Sequence, residues 1–156
     1  MTVAKIKQKA LQLSEHDKRA VRTQFGALCW RQQNDEVQVL LVTTRRSQRW
    51  ILPKGWPVHD ATPAEAALTE AWEEAGVVGK VKTSCLGIFS YCKGLPDDSN
   101  LPCVVAVFPV KVKELENDWP EKESRKRKWY SLKQAANLVE DPELSGILRK
   151  FDPSDL

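Results

Sequence analysis

Gly55-Trp-Pro-Val-His-Asp60-Ala-Thr62-Pro63-Ala-Glu65-Ala-Ala-Leu-Thr69-Glu70-Ala71-Trp-Glu73-Glu74-Ala-Gly76-Val77 is a loop, a helix and a stop, each spelled in its own residue chemistry. Two prolines with His59 and Asp60 keep the chain irregular before the helix. Thr62 offers an N-cap oxygen, and Pro63 takes the first helical position, where a missing N–H costs nothing. Ala64 to Ala75 is built from good helix formers, and Gly76 supplies the left-handed residue that ends it. Residues three and four apart share a helix face, so Glu70, Glu73 and Glu74 are expected on one patch, repelling by roughly a few tenths of a kcal/mol per pair in water. A hard cation with oxygen ligands offsets that repulsion, and Mg²⁺ typically takes one or two carboxylates plus phosphate oxygens. Most Glu-x-x-Glu-Glu runs are simply the wet face of a helix. This one differs in its setting, after a glycine loop, entered from a basic segment and stopped at once by glycine.

Working outward, Gln24 to Arg31 reads as a strand, the polar Gln32–Glu36 as a hairpin turn, and Val37–Val42 as the returning strand. Trp50–Leu52 is a strand fragment ended by Pro53. Beyond the helix, Lys80–Tyr91 alternates as a strand, Gly94–Pro102 reads as a flexible loop, Val104–Val112 as a strand and Lys128–Ser131 as a last short one. Ser131 is placed to cap a closing helix through Val139, and Pro142–Phe151 offers another. The order β-β-α-β-β-β-α is mixed, which predicts an α/β (α+β) fold with a mixed sheet sandwiched between α-helices. Residues 21–156 are expected to form one domain, preceded at 1–20 by a basic amphipathic helix or tail.

At 156 residues the chain suits a single core that buries about two-thirds of its unfolded surface. Hydrophobic residues make up 42% and charged residues 29%, which is ordinary for a globular protein, and no run of 18 apolar residues is present to span a membrane. The first 20 residues lack the apolar core and cleavage site of a secretory signal. Cys29, Cys85, Cys92 and Cys103 form no CxxC pair, and His16 and His59 are far apart, which argues against zinc. Cys29, Cys85 and Cys103 sit in apolar runs, where cysteine behaves as a small buried hydrophobe. Reduced thiols in a cytoplasmic protein are the simplest expectation. The net charge of +3 is unevenly spread. Arg45, Arg46, Arg49 and Lys54 form one basic cluster and Lys122, Arg125, Lys126, Arg127 and Lys128 another. Two such clusters flanking a glutamate-rich segment suggest an anionic ligand, although each alone reads as a solvated face.

The quoted segment resembles the Nudix box: Gly, five residues, Glu, seven residues, Arg-Glu, an aliphatic, any residue, Glu-Glu, any residue, Gly, an aliphatic. Gly55, Glu70, Glu73, Glu74, Gly76 and Val77 fall at the required spacings, with Ala71 in the aliphatic place. Two positions depart, Ala61 standing for the first glutamate and Thr69 for the arginine that orients the glutamate cluster. Asp60 is the neighbouring acid available to substitute. The resemblance implies Glu70, Glu74 and the backbone carbonyl of Lys54 as ligands of Mg²⁺, or of Mn²⁺ in its place. It also implies Glu73 as the base that activates water, although all three glutamates, Glu73 included, compete as metal ligands and Glu70 is the alternative catalytic group.

From Arg22 to Val139 the chain is also similar to the diphosphoinositol polyphosphate phosphohydrolases, a group that cleaves dinucleoside polyphosphates as well. The similarity rests on Arg45-Arg-Ser-Gln-Arg49-Trp50-Ile-Leu-Pro53, the box, and Arg125-Lys-Arg-Lys-Trp129-Tyr130. It implies phosphate contacts from Arg22, Arg45 and Arg125, with Arg46, Lys54 and Gly55 on the same path. Arginine's planar fork suits phosphate oxygens. Lys54 and Trp56 replace glycines usual in that group, while Trp50 and Trp129 are expected in core or rim packing. The expected function is hydrolysis of a phosphoanhydride bond in a small-molecule substrate of these classes. The alternatives are a pyrophosphohydrolase acting on nucleotide sugars, nucleoside triphosphates or RNA 5′ ends, and a non-catalytic ligand-binding module. Nucleic-acid binding through the basic N-terminal segment rests on charge alone and is disfavoured; no membrane partner is expected, and oligomeric state is left open.

Overall fold

Asn34 and Asp35 both take left-handed backbone, with φ of 53° and 61°, and fold β1 (Arg22–Gln33) onto β2 (Glu36–Thr43) through a two-residue turn. Two positive φ values match the natural twist of a hairpin, so the turn is shorter than the five polar residues suggest and both strands run further toward it. The computed structural model that shows this describes residues 21–156; the helix or tail expected at 1–20 lies outside them.

After β2 come β3 (Trp50–Ile51), β4 (Lys54–Gly55), α1 (Pro63–Ala75), β5 (Val77–Val81), β6 (Gly87–Gly94), β7 (Asn100–Leu115), β8 (Arg127–Ser131), α2 (Leu132–Leu138) and α3 (Pro142–Lys150). The sheet runs β3-β2-β1-β7-β5, with β4 on β1, β6 on β7 and β8 on β2. The pairing of β1 with β7 is parallel, from Arg22 opposite Cys103 to Trp30 opposite Lys111, and the other pairings are antiparallel. The sheet is therefore mixed, as expected. Every residue of β1 from Gln24 to Trp30 is buried, although neighbours point to opposite faces, so both faces are covered. Helix α1 packs on β1, β5, β4 and β7, whereas α2 packs on β2, β8 and α3, and α3 on β6.

The stretch Lys80–Tyr91 is not one strand. It is β5 and β6, both laid antiparallel on β7, with residues 82–86 looping out between them. The gap faces Phe108-Pro109, where proline has no N–H to give the ladder; Lys82 and Leu86 still donate to the carbonyls of Pro109 and Val107 at 3.0 and 2.8 Å. Cys85 sits in that excursion and is exposed, unlike Cys29 and Cys103, so the expectation of a buried Cys85 is corrected. The loop expected at 94–102 shrinks as well: β6 runs to Gly94 and β7 starts at Asn100. Among the described residues no helix is long and apolar enough to cross a membrane.

Candidate active site

The helix start and stop form as written. The Thr62 side chain accepts from the Glu65 N–H at 3.2 Å, and Gly76, at φ 67°, returns its N–H to Trp72 at 2.9 Å. Five alanines, at 64, 66, 67, 71 and 75, form the buried face together with Glu74. Their small size lets the helix axis come close to the sheet. Opposite them β4 hydrogen-bonds to β1 in register, Gly26 with Lys54 and Phe25 with Gly55. This two-residue strand delivers Lys54 and Gly55 to the glutamates.

The Glu70 carboxylate packs directly on Gly55, so a Cβ there would overlap it and push that side chain aside. The Lys54 N–H points at Glu74 Oε1 from 3.4 Å. Glu74, only 5% exposed, is raised to about 8 by burial above all, against the pull of Arg125, with Glu70 adding to the rise. Glu70 is raised to about 7, again chiefly by burial and then by the charges of Glu73 and Glu121. Glu70 and Glu74 lie one helical turn apart, close enough that each shifts the other's ionisation. Burial lowers the pKa of the Lys54 ammonium, which Glu74 stabilises and which lies 4.5 Å from the Tyr91 ring centre. The Tyr91 hydroxyl donates to Gln24 at 2.5 Å.

Glu73 is less involved than its neighbours. It is half-buried and acts on Glu70 through charge, so the expected patch of three resolves into a close pair and a flanking third. Among the described residues no group of three or more His, Cys, Asp or Glu side chains is drawn together into a metal cage. The oxygen donors of Glu70 and Glu74 are nonetheless of the type that a hard divalent ion takes, alongside water and phosphate oxygens.

The segment between β7 and β8 closes the site from the other side. Arg125, 11% exposed, places Nη2 3.4 Å from Glu74 Oε2 and Nε 2.9 Å from Glu121 Oε1, and donates from Nη1 to the Thr43 carbonyl at 3.0 Å. Arg45, 62% exposed, meets the same Glu121 oxygen at 2.8 Å. The last three carbonyls of α1, which lack intrahelical partners, each receive a donor from this segment or from the first residue of β8. Glu121 N–H serves Glu73 at 3.0 Å, the Trp119 indole N–H serves Glu74 at 3.1 Å, and Arg127 Nη1 serves Ala75 at 2.7 Å. Sequence reasoning missed Glu121, Trp119 and this use of Arg127. The available signal was an α1 with no basic residue in its last turn, whose carbonyls had to be satisfied from elsewhere.

The remaining expected residues spread outward. Arg46 is exposed on the loop after β2, and Arg22 stands on the first rung of the β1–β7 ladder, opposite Cys103. Asp60 is exposed and 3.3 Å from His59. Trp50 packs edge-on against Tyr130 and Trp129 lies under Arg31, which bears out packing roles. Trp56 lies under Lys93 at 5.0 Å.

The model of the NUDIX domain matches residues 22–151. Mouse diphosphoinositol polyphosphate phosphohydrolase 3-alpha is 30% identical over 137 residues, covering 86% of this chain and 79% of that protein. Nudix hydrolase 12, mitochondrial, of Arabidopsis thaliana is 32% identical over 120 residues, 75% of this chain but 59% of the plant protein, so the chain spans little more than half of that relative. Among solved structures, the C. elegans Ap4A hydrolase superposes with a TM-score of 0.61 over 84% of this chain and 96% of that one, at 18% identity. A family model running from the first strand past the last α-helix, on a fold that sets the box glutamates of α1 against β4, makes the chain a member of the Nudix hydrolase family.

Proposed function

We propose that the chain hydrolyses a phosphoanhydride bond in a dinucleoside polyphosphate or a diphosphoinositol-polyphosphate-like molecule, with Mg²⁺ or Mn²⁺ held by Glu70 and Glu74. The observation that carries this is the pair itself, a buried Glu74 and a half-buried Glu70 one helical turn apart, with the Glu70 carboxylate packed against Gly55 and Glu74 facing the Lys54 N–H. Such a pair costs stability unless a cation or a proton stands between its members. The Lys54 carbonyl, delivered by β4, completes the oxygen set in this reading.

A divalent ion, when bound there, neutralises phosphate charge and so makes phosphorus open to attack. The chain's own residues do the rest. Glu73, half-buried where Glu74 is buried, takes a proton from the attacking water at its carboxylate. The Lys54 ammonium lies beside the Tyr91 ring, interacts with Glu74, and meets phosphate charge where partial burial makes an ion pair stronger than in bulk. Arg45 is exposed enough to turn from Glu121 to a long phosphate chain, with Arg46 beside it. The names of the mouse and worm proteins support the substrate classes. Four free thiols fit a reducing compartment, the cytoplasm in this reading.

The test is release of nucleotide from diadenosine tetraphosphate and of phosphate from a diphosphoinositol polyphosphate. Turnover is expected with Mg²⁺ or Mn²⁺, to vanish in excess EDTA, and to fall by about a hundredfold or more in Glu74→Gln, the scale of losing a group that stabilises transition-state charge. Full activity in EDTA rejects the metal reading. No turnover across a panel that includes nucleotide sugars, nucleoside triphosphates and capped RNA, with tight binding of one of them, makes the chain a binding module.

A further inference from the structure

Thr69 stands where the box pattern carries an arginine, and its hydroxyl is spent on α1 itself, donating to the Glu65 carbonyl at 3.0 Å. The sequence of α1 contains no Lys, Arg or His, so the helix brings no cation to its own carboxylates. Arg125 reaches them from outside. Its three anchors are Glu74, Glu121 and the Thr43 carbonyl, at 3.4, 2.9 and 3.0 Å, and a planar guanidinium pinned at Nε and both terminal nitrogens has no freedom left in its plane. The anchors are themselves held. Thr43 exchanges hydrogen bonds with Lys126 through its N–H and its hydroxyl, each at 3.0 Å, and Glu121 donates its N–H to the Glu73 carbonyl at 3.0 Å. With 11% of its side chain exposed, Arg125 offers little surface to a substrate phosphate.

We propose that Arg125 is the positioning residue for Glu74, doing from the β7–β8 connection what Thr69 leaves undone within α1. The inference rests on the reading of Glu70 and Glu74 as ligands of a divalent ion. A lysine in the same place would keep the charge and lose the fork, so geometry and charge separate cleanly.

The decisive measurement is Mn²⁺ binding to the substrate-free chain, followed by electron paramagnetic resonance, in the wild type, Arg125→Lys, and Arg125→Lys combined with Thr69→Arg. A group that orients a metal ligand typically costs 10–100-fold when removed, so Arg125→Lys is expected to weaken Mn²⁺ binding about tenfold. The added arginine at position 69 is expected to restore most of it. With diadenosine tetraphosphate, kcat is expected to fall with KM changed less than about twofold, because the loss lies in the site and not in substrate capture. Unchanged Mn²⁺ affinity with a raised KM and intact kcat overturns the inference and makes Arg125 a phosphate contact. Should Arg125→Lys fail to fold, Arg125→Gln serves. Loss of the charge alone tightens Mn²⁺ binding there, so weaker binding supports the proposal and tighter binding overturns it. No Mn²⁺ binding by the wild type overturns the metal reading and this inference with it; wild-type binding that Arg125→Lys leaves unaltered overturns this inference alone.

Discussion

Helices α1 and α3 begin alike, each with a proline in its first turn, yet they are held to the sheet by different forces. Helix α3 buries Leu144 and Leu148 completely, and Phe151 just beyond it meets Trp30 edge-on. Helix α1 buries five alanines and a glutamate. An alanine contributes little apolar area, so α1 draws on donors at its last carbonyls, on Arg125, and on the absence of a Cβ at Gly55. The oily helix is held by surface removed from water, whereas the charged one is held by partners at fixed distances. The first kind of attachment tolerates a shift; the second gives aim.

That contrast can be broken or sharpened by measurement. Leu148→Ala leaves a cavity under α3 and is expected to cost about 2–5 kcal/mol of stability in chemical denaturation, with kcat nearly unchanged. A comparable loss of kcat would mean that the two helices are not independent. A smaller effect concerns pH. Glu70 and Glu74 have folded values of about 7 and about 8, above the ordinary 4.5, so burial favours their protonated forms. The stability they contribute is complete below about pH 4.5 and is lost as pH rises through 7 to 8. The metal-free chain is therefore expected to lose stability in chemical denaturation between pH 5 and 8, and Mg²⁺ to return it. A flat profile without metal would show that the pair is not desolvated.

Arg127→Met is expected to cost about 2 kcal/mol, the scale of a hydrogen bond from a charged donor to the end of α1, with a lowered melting temperature. A loss below about 0.5 kcal/mol would move α1 into the class of α3. Arg45→Ala is expected to change stability by less than about 1 kcal/mol, as exposed ion pairs do, while raising KM most for the longest phosphate chains. An equal rise for short and long chains counts against its part in reading polyphosphate.

The ends of α1 were legible because they depend on local chemistry, Thr62-Pro63 at one end and Gly76 at the other. The hairpin turn, β8 and the capping Ser131 were legible for the same reason. Strand β4 was not, since two residues have no period and their pairing with β1 is decided by the whole sheet. The split of β5 from β6 depended on Pro109, which lies in another strand. Within the site, the spacing of Glu70 and Glu74 was readable along the helix. Glu121 and Trp119 were not, because their partners lie more than 40 residues away, and the basic run at 122–128 drew attention from the acid just before it. Arg125 was read as a contact for a ligand outside the protein; the partners the fold gives it are inside.

The donors that reach back to Glu73, Glu74 and Ala75 also set how this part of the molecule breathes. A helix end normally frays alone, on fast timescales and at little cost. Here, unwinding the last turn of α1 means releasing Trp119, Glu121 and Arg127 together, so the helix end and a segment 45 positions downstream should open and close as one cooperative unit. Amide deuteration would register them with a common opening free energy, so that the steadiness of the glutamates is governed by a stretch of chain that carries none of the box.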